Sequence, residues 1–298
     1  MSCASGLKFV KMHGIGNDFV VIDCTERHFS DAEQSNFARG ACDRHFGIGS
    51  DGTILVYPSV ICDFRMRMFN PEGTEAEMCG NGIRTFAKYI YDCGMSTSTR
   101  LSVETLAGIK YVDLDVAEGV CRSVRVNMGA PRLSAKEIPF AGAPEADRVL
   151  GFPVEACGRE FAVTCVNMGN PHCVTIVDDI NDIRLTEWGP ALERHSLFPK
   201  KTNVEFVQIP DRDNVFMRVW ERGAAETLAC GTGACASAVA AILNGRTERK
   251  VNLHLAGGDL LIEWAGDGNV YMTGPAATVY EGEVPPERLK RWLKGWIN

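Results

Sequence analysis

The chain carries one local pattern twice. Met78-Cys79-Gly80-Asn81-Gly82 and Ala229-Cys230-Gly231-Thr232-Gly233 are near-copies, each set where a helix would begin. The match runs outward from both. Arg67, Phe69 and Asn70 precede Cys79 at the same offsets as Arg218, Trp220 and Glu221 precede Cys230. Residues 103–109 are answered by 251–258, each followed by a strand-like stretch. The run from Met12 to Asn17, and the strand after it, is answered by Met168-Gly169-Asn170 and the strand after that. A repeat this long is no short-period solenoid and dictates two similar halves. The expected fold is α+β: two pseudo-symmetric domains from an internal duplication, each a β-sheet or barrel wrapped around a central helix. The boundaries fall at 1–126 plus 275–298 for the half with Cys79, and at 127–274 for the half with Cys230.

The central helices follow from periodicity. After Cys79, Ile83, Phe86, Ala87 and Ile90 recur at helical spacing, and Gly94 is a stop. The stretch 234–243 carries no charge on any face, so it should be buried all round and end at Asn244-Gly245. Around them, 7–12 and 19–23 read as strands joined by a turn over 13–18 that would hold Asn17. Residues 30–42 read as a helix, 46–52 as a Gly-rich turn, and 53–57 and 64–69 as further strands. Residues 131–153, with Pro139, Gly142 and Pro144, read as a surface excursion near the junction of the halves. Pro285-Pro286-Glu287 introduces a short terminal helix with Leu289, Trp292, Leu293 and Trp296 on one side.

Composition excludes several classes. A length of 298 residues with 45% apolar content suits two compact domains with real cores. A net charge of −7, with no basic cluster longer than Lys200-Lys201 or Arg246…Arg249-Lys250, argues against nucleic acid. Met1-Ser2-Cys3-Ala4-Ser5-Gly6 has no leader-like pattern and no run of 18 apolar residues occurs, so a cytoplasmic protein without a membrane partner is expected. The 12 cysteines are irregularly spaced and mostly in apolar contexts, which favours reduced, buried thiols over a disulfide scaffold. There is no Cys-x2-Cys pair, and the histidines are not at ligand spacing, so no metal is expected.

The duplicated cysteines bear the chemistry. A thiol at a helix start lies beside unsatisfied N–H groups and the positive end of the macrodipole, which favours its thiolate. Two such thiols form a matched base and acid, and a free cysteine near pKa ~8.5 is close enough to neutrality to serve as either. Inverting an amino acid's α-carbon needs a proton removed from one face and another delivered to the opposite face. Gly80-Asn81 and Gly231-Thr232 would offer N–H groups to a carboxylate and to the charge that develops as the α-proton leaves. Glu221-Arg222 suits a zwitterion, and Asn17, Asn70, Asn170 and Asn203 supply neutral amides. Alone, a Cys-Gly dipeptide is ordinarily an inert buried thiol; the matched positions set Cys79 and Cys230 apart. Cys235 has no counterpart cysteine and reads as core. His172 either caps the Asn170-Pro171-His172 turn or serves the site. Gly14-Ile15-Gly16 and Gly47-Ile48-Gly49 lack the spacing of a dinucleotide fingerprint.

At these residues the chain resembles the diaminopimelate epimerases. The likeness is carried by 77–84, by 167–172 and by 221–234, and extends from His13-Gly14-Ile15-Gly16-Asn17-Asp18-Phe19 to Thr273-Gly274-Pro275-Ala276. The resemblance implies cofactor-independent epimerisation of LL-2,6-diaminopimelate to the meso isomer in lysine and peptidoglycan precursor synthesis, with neither metal nor pyridoxal phosphate. It implies Cys79 and Cys230 as the acid/base pair, and Gly80, Asn81, Gly231 and Thr232 on the reacting carboxylate. Asn17, Asn70, Asn170, Asn203, Glu221 and Arg222 would bind the rest of the substrate, with His172 and Glu221 flanking the thiols. It further implies a cleft site between two α/β domains, a homodimer, and inactivation by a Cys79–Cys230 disulfide. Two departures are visible: Gly52 stands where some relatives carry Gln, and Asn70-Pro71-Glu72-Gly73-Thr74 lacks an Asp often found before the glycine. A proline or hydroxyproline racemase shares the two-thiol logic but typically has His where Asn81 stands. Phenazine-type isomerases lack the cysteine pair. A non-catalytic amino-acid-binding protein on the same fold is the remaining alternative.

Overall fold

The computed structural model describes residues 6–296; residues 1–5, with Cys3 and most of the N-terminal stretch considered above, lie outside it. The chain divides into two compact units, Met1–Val126 with Gly274–Asn298, and Asn127–Thr273.

The first unit begins with β1 (Leu7–Gly14) and β2 (Asn17–Asp23), then α1 (Asp31–Cys42), β3 (Gly52–Tyr57), β4 (Phe64–Phe69), β5 (Glu75–Ala76), α2 (Gly80–Asp92), β6 (Arg100–Thr105), β7 (Gly108–Ala117) and β8 (Val120–Gly129). β1 and β2 pair antiparallel, β2 and β3 parallel, β3 and β4 antiparallel, β4 and β6 parallel, and β6, β7 and β8 as antiparallel neighbours. The β1–β2 pairing runs on to Gly14 opposite Asn17, leaving only Ile15 and Gly16 as the turn. This corrects the expectation that Asn17 lies on a loop: it opens a strand, and the ladder fixes its register.

The second unit repeats this order. It consists of β9 (Val149–Ala156), β10 (Arg159–Asn167), β11 (Pro171–Val177), α3 (Leu185–Glu193), β12 (Asn203–Gln208), β13 (Asn214–Glu221), β14 (Ala225–Glu226), α4 (Gly231–Leu243), β15 (Lys250–Leu255), β16 (Gly258–Trp264) and β17 (Val270–Gly274), with one 3₁₀ turn at Ile180–Asp182. β11 and β12 are parallel, as are β13 and β15, and the remaining neighbours are antiparallel. The chain then returns to the first unit as β18 (Ala277–Val284), which pairs with β1 as β9 does with β10, and α5 (Pro286–Leu293).

The strands of each unit pack around that unit's own helix. α2 packs on β1, β2, β3, β4 and β7, and α4 on β10 to β13, β15 and β16. Both helices are 13 residues long, and α4 buries nearly every residue, as its lack of charge requires. The opposite faces are covered by α1 and α5 in one unit and α3 in the other. Ser30 and Glu33 cap α1 reciprocally, an arrangement contributing about 1 kcal/mol. Phe37 of α1 meets Trp292 of α5 edge to face at 5.8 Å, and Leu289 is buried beside them. Trp296, expected on that buried side, lies past the end of α5 and is exposed.

The segment 131–153 corrects a second expectation. Ala135, Ile138 and Phe140 are buried in the core of the second unit with Trp188 and Phe198, and β9 takes over from Val149. Prolines and glycines mark it as irregular, but its apolar residues are inside. The cysteines divide as well. Cys24, Cys42, Cys121, Cys165, Cys173 and Cys235 are buried, whereas Cys93 and Cys157 are exposed.

Candidate active site

In the first unit, the short β4–β5 hairpin delivers the chain to Cys79, which caps α2 in an extended conformation (φ −135°, ψ 122°). Its Sγ accepts the Gly82 N–H at 3.4 Å and lies 3.7 Å from Asn17 Oδ1, which also accepts Asn81 Nδ2 at 3.3 Å. The other end of the Asn17 amide is fixed: Nδ2 donates to Asp51 Oδ2 at 2.8 Å. Asp51 is held by Arg44 at 2.7 Å, and Arg44 also grips Asp18, which pairs with Lys11. Burial acts to raise the Asp18 pKa, but the Lys11 and Arg44 contacts outweigh it and hold the carboxyl below its usual range. Beneath the helix start, fully buried Arg84 donates to Gly80 O at 3.0 Å, Asn81 Oδ1 at 2.9 Å and Pro275 O at 3.3 Å.

Asn70 bonds within its own turn, Nδ2 to Thr74 Oγ1 at 2.9 Å. Gly52 opens β3, and a Cβ there would lie 2.9 Å from Phe69 O, so the position is crowded against the neighbouring strand.

The second unit builds the same corner with different groups. Cys230 caps α4 (φ −126°, ψ 108°); its Sγ accepts the Gly233 N–H at 3.4 Å and lies 3.6 Å from Thr232 Oγ1. Asn170 corresponds to Asn17, but here the amide oxygen is the fixed end, 2.9 Å from His172 Nε2. His172 Nδ1 is 2.7 Å from Glu205 Oε1, and both side chains are 0% exposed. Asn203 is engaged by backbone, donating to Pro171 O and accepting the Arg222 N–H, each at 2.9 Å. Glu221 accepts Thr227 Oγ1 at 2.5 Å, and the Arg222 guanidinium bonds Lys200 O at 3.2 Å.

The electrostatics around Cys230 favour the thiol. Burial pushes its pKa well above the ordinary thiol value, and the Glu221 and Glu205 carboxyls push the same way; Thr232 and the Gly233 N–H oppose them without winning. Glu205 is likewise raised, by burial first, with Glu221 adding to it and His172 opposing. This half therefore offers a proton donor beside a helix N-terminus whose N–H groups suit a carboxylate.

Of the site residues expected from sequence, Asn17, Cys79 and Asn81 form one hydrogen-bonded group, and Asn170 and His172 another. Asn203 and Arg222 form a third, and Asn70 joins none of them. Three residues were not singled out from sequence: Asp51, which holds Asn17; Arg84, which braces Gly80-Asn81; and Glu205. Glu205 did leave a trace. It stands inside Val204-Glu205-Phe206-Val207, a strand buried on both faces, where a carboxylate needs a partner. Among the described residues, no three His, Cys, Asp or Glu side chains form a metal-binding group, and no helix is long and apolar enough to cross a membrane.

Residues 9–134 and 164–279 match the family model described as diaminopimelate epimerase. A diaminopimelate epimerase of Pelotomaculum thermopropionicum is 52% identical over 279 residues, covering 94% of this chain and 99% of that protein. Among solved structures, a PhzF-family phenazine biosynthesis protein of Bacillus anthracis superposes with a TM-score of 0.68 at 16% identity, covering 94% of this chain and 99% of the other. A hydroxyproline epimerase of Agrobacterium vitis does so at 0.66 and 16% identity, covering 93% and 90%. At that identity the two structures testify to the duplicated fold alone.

Proposed function

The chain belongs to the diaminopimelate epimerase family, and on that premise we propose that it interconverts LL- and meso-2,6-diaminopimelate by two-thiol proton transfer, serving lysine and peptidoglycan precursor synthesis. The observation that carries this reading is that Cys79 and Cys230 cap equivalent helices of equal length in equivalent corners of two duplicated units. The reading requires the thiols to address opposite faces of one α-carbon. One sulfur, as thiolate, takes the α-proton; the electron pair left on carbon is delocalised into the adjacent carboxylate; the other thiol then delivers its proton to the opposite face. Atoms and charge balance, because each turnover exchanges the states of the two sulfurs.

Cys230, held as a thiol, is the acid at rest, and Cys79 takes the proton in that direction. The N–H groups of Gly80-Asn81 and Gly231-Thr232 receive the carboxylate and stabilise the charge gathering on it. Asn17, Asn70, Asn170, Asn203, Glu221 and Arg222 bind the remainder, with His172 and Glu221 beside the thiols. No metal or pyridoxal phosphate takes part, so activity survives exhaustive chelation and carbonyl reagents. We further assign a cytoplasmic homodimer with no nucleic-acid partner. Asn81 and the amide-rich set favour a long, doubly zwitterionic substrate over proline.

The test is proton NMR of LL-diaminopimelate in D2O with reduced enzyme, run beside Cys79→Ala, Cys230→Ala and an L-proline control. Loss of the α-proton signal with formation of the meso isomer, absent or reduced to partial exchange in either variant, is the expected result. Exchange with proline instead would move the protein to the racemases, and exchange with neither would make it a binding protein.

A further inference from the structure

The two units treat one structural position in opposite ways. In the first, the β2–β3 pairing sets Phe19 opposite Gly52 and Val21 opposite Ile54; in the second, the β11–β12 pairing sets His172 opposite Asn203 and Val174 opposite Glu205. Phe19 and Ile54 thus occupy the places of His172 and Glu205. The central helices repeat the correspondence. A Cβ at Gly82 would meet Ile54 Cδ1 at 3.5 Å, and a Cβ at Gly233 would meet Glu205 Oε1 at 2.7 Å. One glycine gap receives a methyl group and the other a carboxyl oxygen. The second unit therefore keeps a fully buried acid, with Oε2 lacking any hydrogen-bond partner, where its twin shows that an aliphatic side chain fits. Such burial is costly, and packing does not require it.

What the acid accomplishes follows from the proton inventory of the imidazole. Asn170 Oδ1 only accepts, so the 2.9 Å contact needs a proton on Nε2. The 2.7 Å contact between Nδ1 and Glu205 Oε1 also holds one proton, on either the ring or the acid. Both arrangements leave Nε2–H donating to Asn170. Remove the acid and the neutral ring is free to carry its proton on Nδ1; Nε2 then becomes an acceptor and the Asn170 amide turns over to donate to it.

Resting on the reading of the site above and deepening it, we propose that Glu205 is a positioning residue. Acting through His172, it fixes the Asn170 amide with its oxygen inward and its N–H groups outward, toward a substrate acceptor such as a carboxylate. In the first unit the polarity is reversed, because Asp51 takes the Asn17 N–H and the Asn17 oxygen turns toward Cys79 and Asn81. The corresponding asparagines are thereby made a donor in one half and an acceptor in the other, a distinction their identical chemistry cannot draw alone.

Long-range ¹H–¹⁵N NMR of histidine-labelled protein reads the ring directly. In the native chain His172 should show a protonated Nε2; an unprotonated Nε2 would overturn the proposal. Glu205→Ile, which copies the first unit, should move the proton to Nδ1 and raise KM for diaminopimelate about tenfold with a much smaller change in kcat, as expected for one misdirected hydrogen bond to a charged group. An unchanged KM would overturn it. Glu205→Gln donates to Nδ1 and should restore both the tautomer and KM; failure to restore either argues against the acid's acting through the ring. If Glu205→Ile folds poorly, His172→Phe/Glu205→Ile, which reproduces the Phe19/Ile54 pair, is compared with His172→Phe alone: the two KM values should match, whereas a further loss in the double variant would mean that Glu205 acts independently of the ring. Native enzyme that exchanges no α-proton defeats the substrate reading, while the tautomer measurement still decides the role of Glu205.

Discussion

Below the first turn of α2 lies a buried cation, and below the first turn of α4 a buried acid. The helices match in length and in cysteine cap, and each ends at a glycine of left-handed conformation, Gly94 at φ 70° and Gly245 at φ 68°. Yet at the position five residues past the cap, α2 carries Arg84, bonded to Gly80, Asn81 and Pro275, while α4 carries a fully buried thiol, Cys235. The buried ionisable group of the second corner comes instead from the sheet, as the acid Glu205. Duplication preserved the backbone corner, and the side chains beneath it diverged from a base to an acid. Two symmetric thiols are thereby given unequal surroundings, as a pair needs if one begins as base and the other as acid.

Breaking the brace under each helix should expose the difference. Arg84→Met removes the charged hydrogen bonds to Gly80, Asn81 and Pro275, so it should cost about 3 kcal/mol of stability. Cys235→Ala, at the equivalent place, should cost only about 1 kcal/mol, since it trims a small side chain. Equilibrium urea unfolding of the two variants measures both, and equal losses would mean that Arg84 does not brace its corner.

The thiols themselves sharpen the comparison. The folded pKa of Cys230 lies above that of a free thiol, so at pH 8 its thiolate fraction is below that of an ordinary cysteine, and its reactivity rises only at more alkaline pH. Cys230 is also only 5% exposed, whereas Cys79 is half-buried. Iodoacetamide at pH 8 should therefore label Cys79 faster than Cys230. Peptide mass spectrometry separates both from exposed Cys93 and Cys157, and faster labelling of Cys230 would reverse the assigned resting roles.

The smallest effect is expected at the surface ion network. Arg44 is 57% exposed, so Arg44→Ala should change stability by no more than about 0.5 kcal/mol. Asn17 keeps its bond to Asp51, and KM should stay within about threefold. A loss as large as that of Glu205→Ile would show that the exposed and buried devices for orienting asparagine are equally stringent.

Much of this was legible without coordinates. The repeated Cys-Gly motifs, the apolar spacing after Cys79 and the charge-free run after Ala234 located both central helices, and their helix-start cysteines fell where the caps are. Local signals of this kind are decided within one turn of chain. The turn is shorter than the residue types from His13 to Asp18 imply, because hairpin pairing extends strands into residues whose own preference is for turns. The burial of segment 131–153 is not legible in sequence, because proline and glycine report irregular backbone, whereas burial of Ile138 and Phe140 depends on what packs against them.

Sequence by itself determined the duplication, the helix starts, the family and the pair of thiols, since each is written in contiguous residues and in their recurrence. Tertiary structure alone decided that Glu205 points inward at His172, that Asp51 and Glu205 hold their asparagines by opposite ends, and that Arg84 braces the first turn of α2. Those outcomes depend on strand register and on which face of a sheet a helix covers. A shift of one residue in either would have sent the same side chains to the other face.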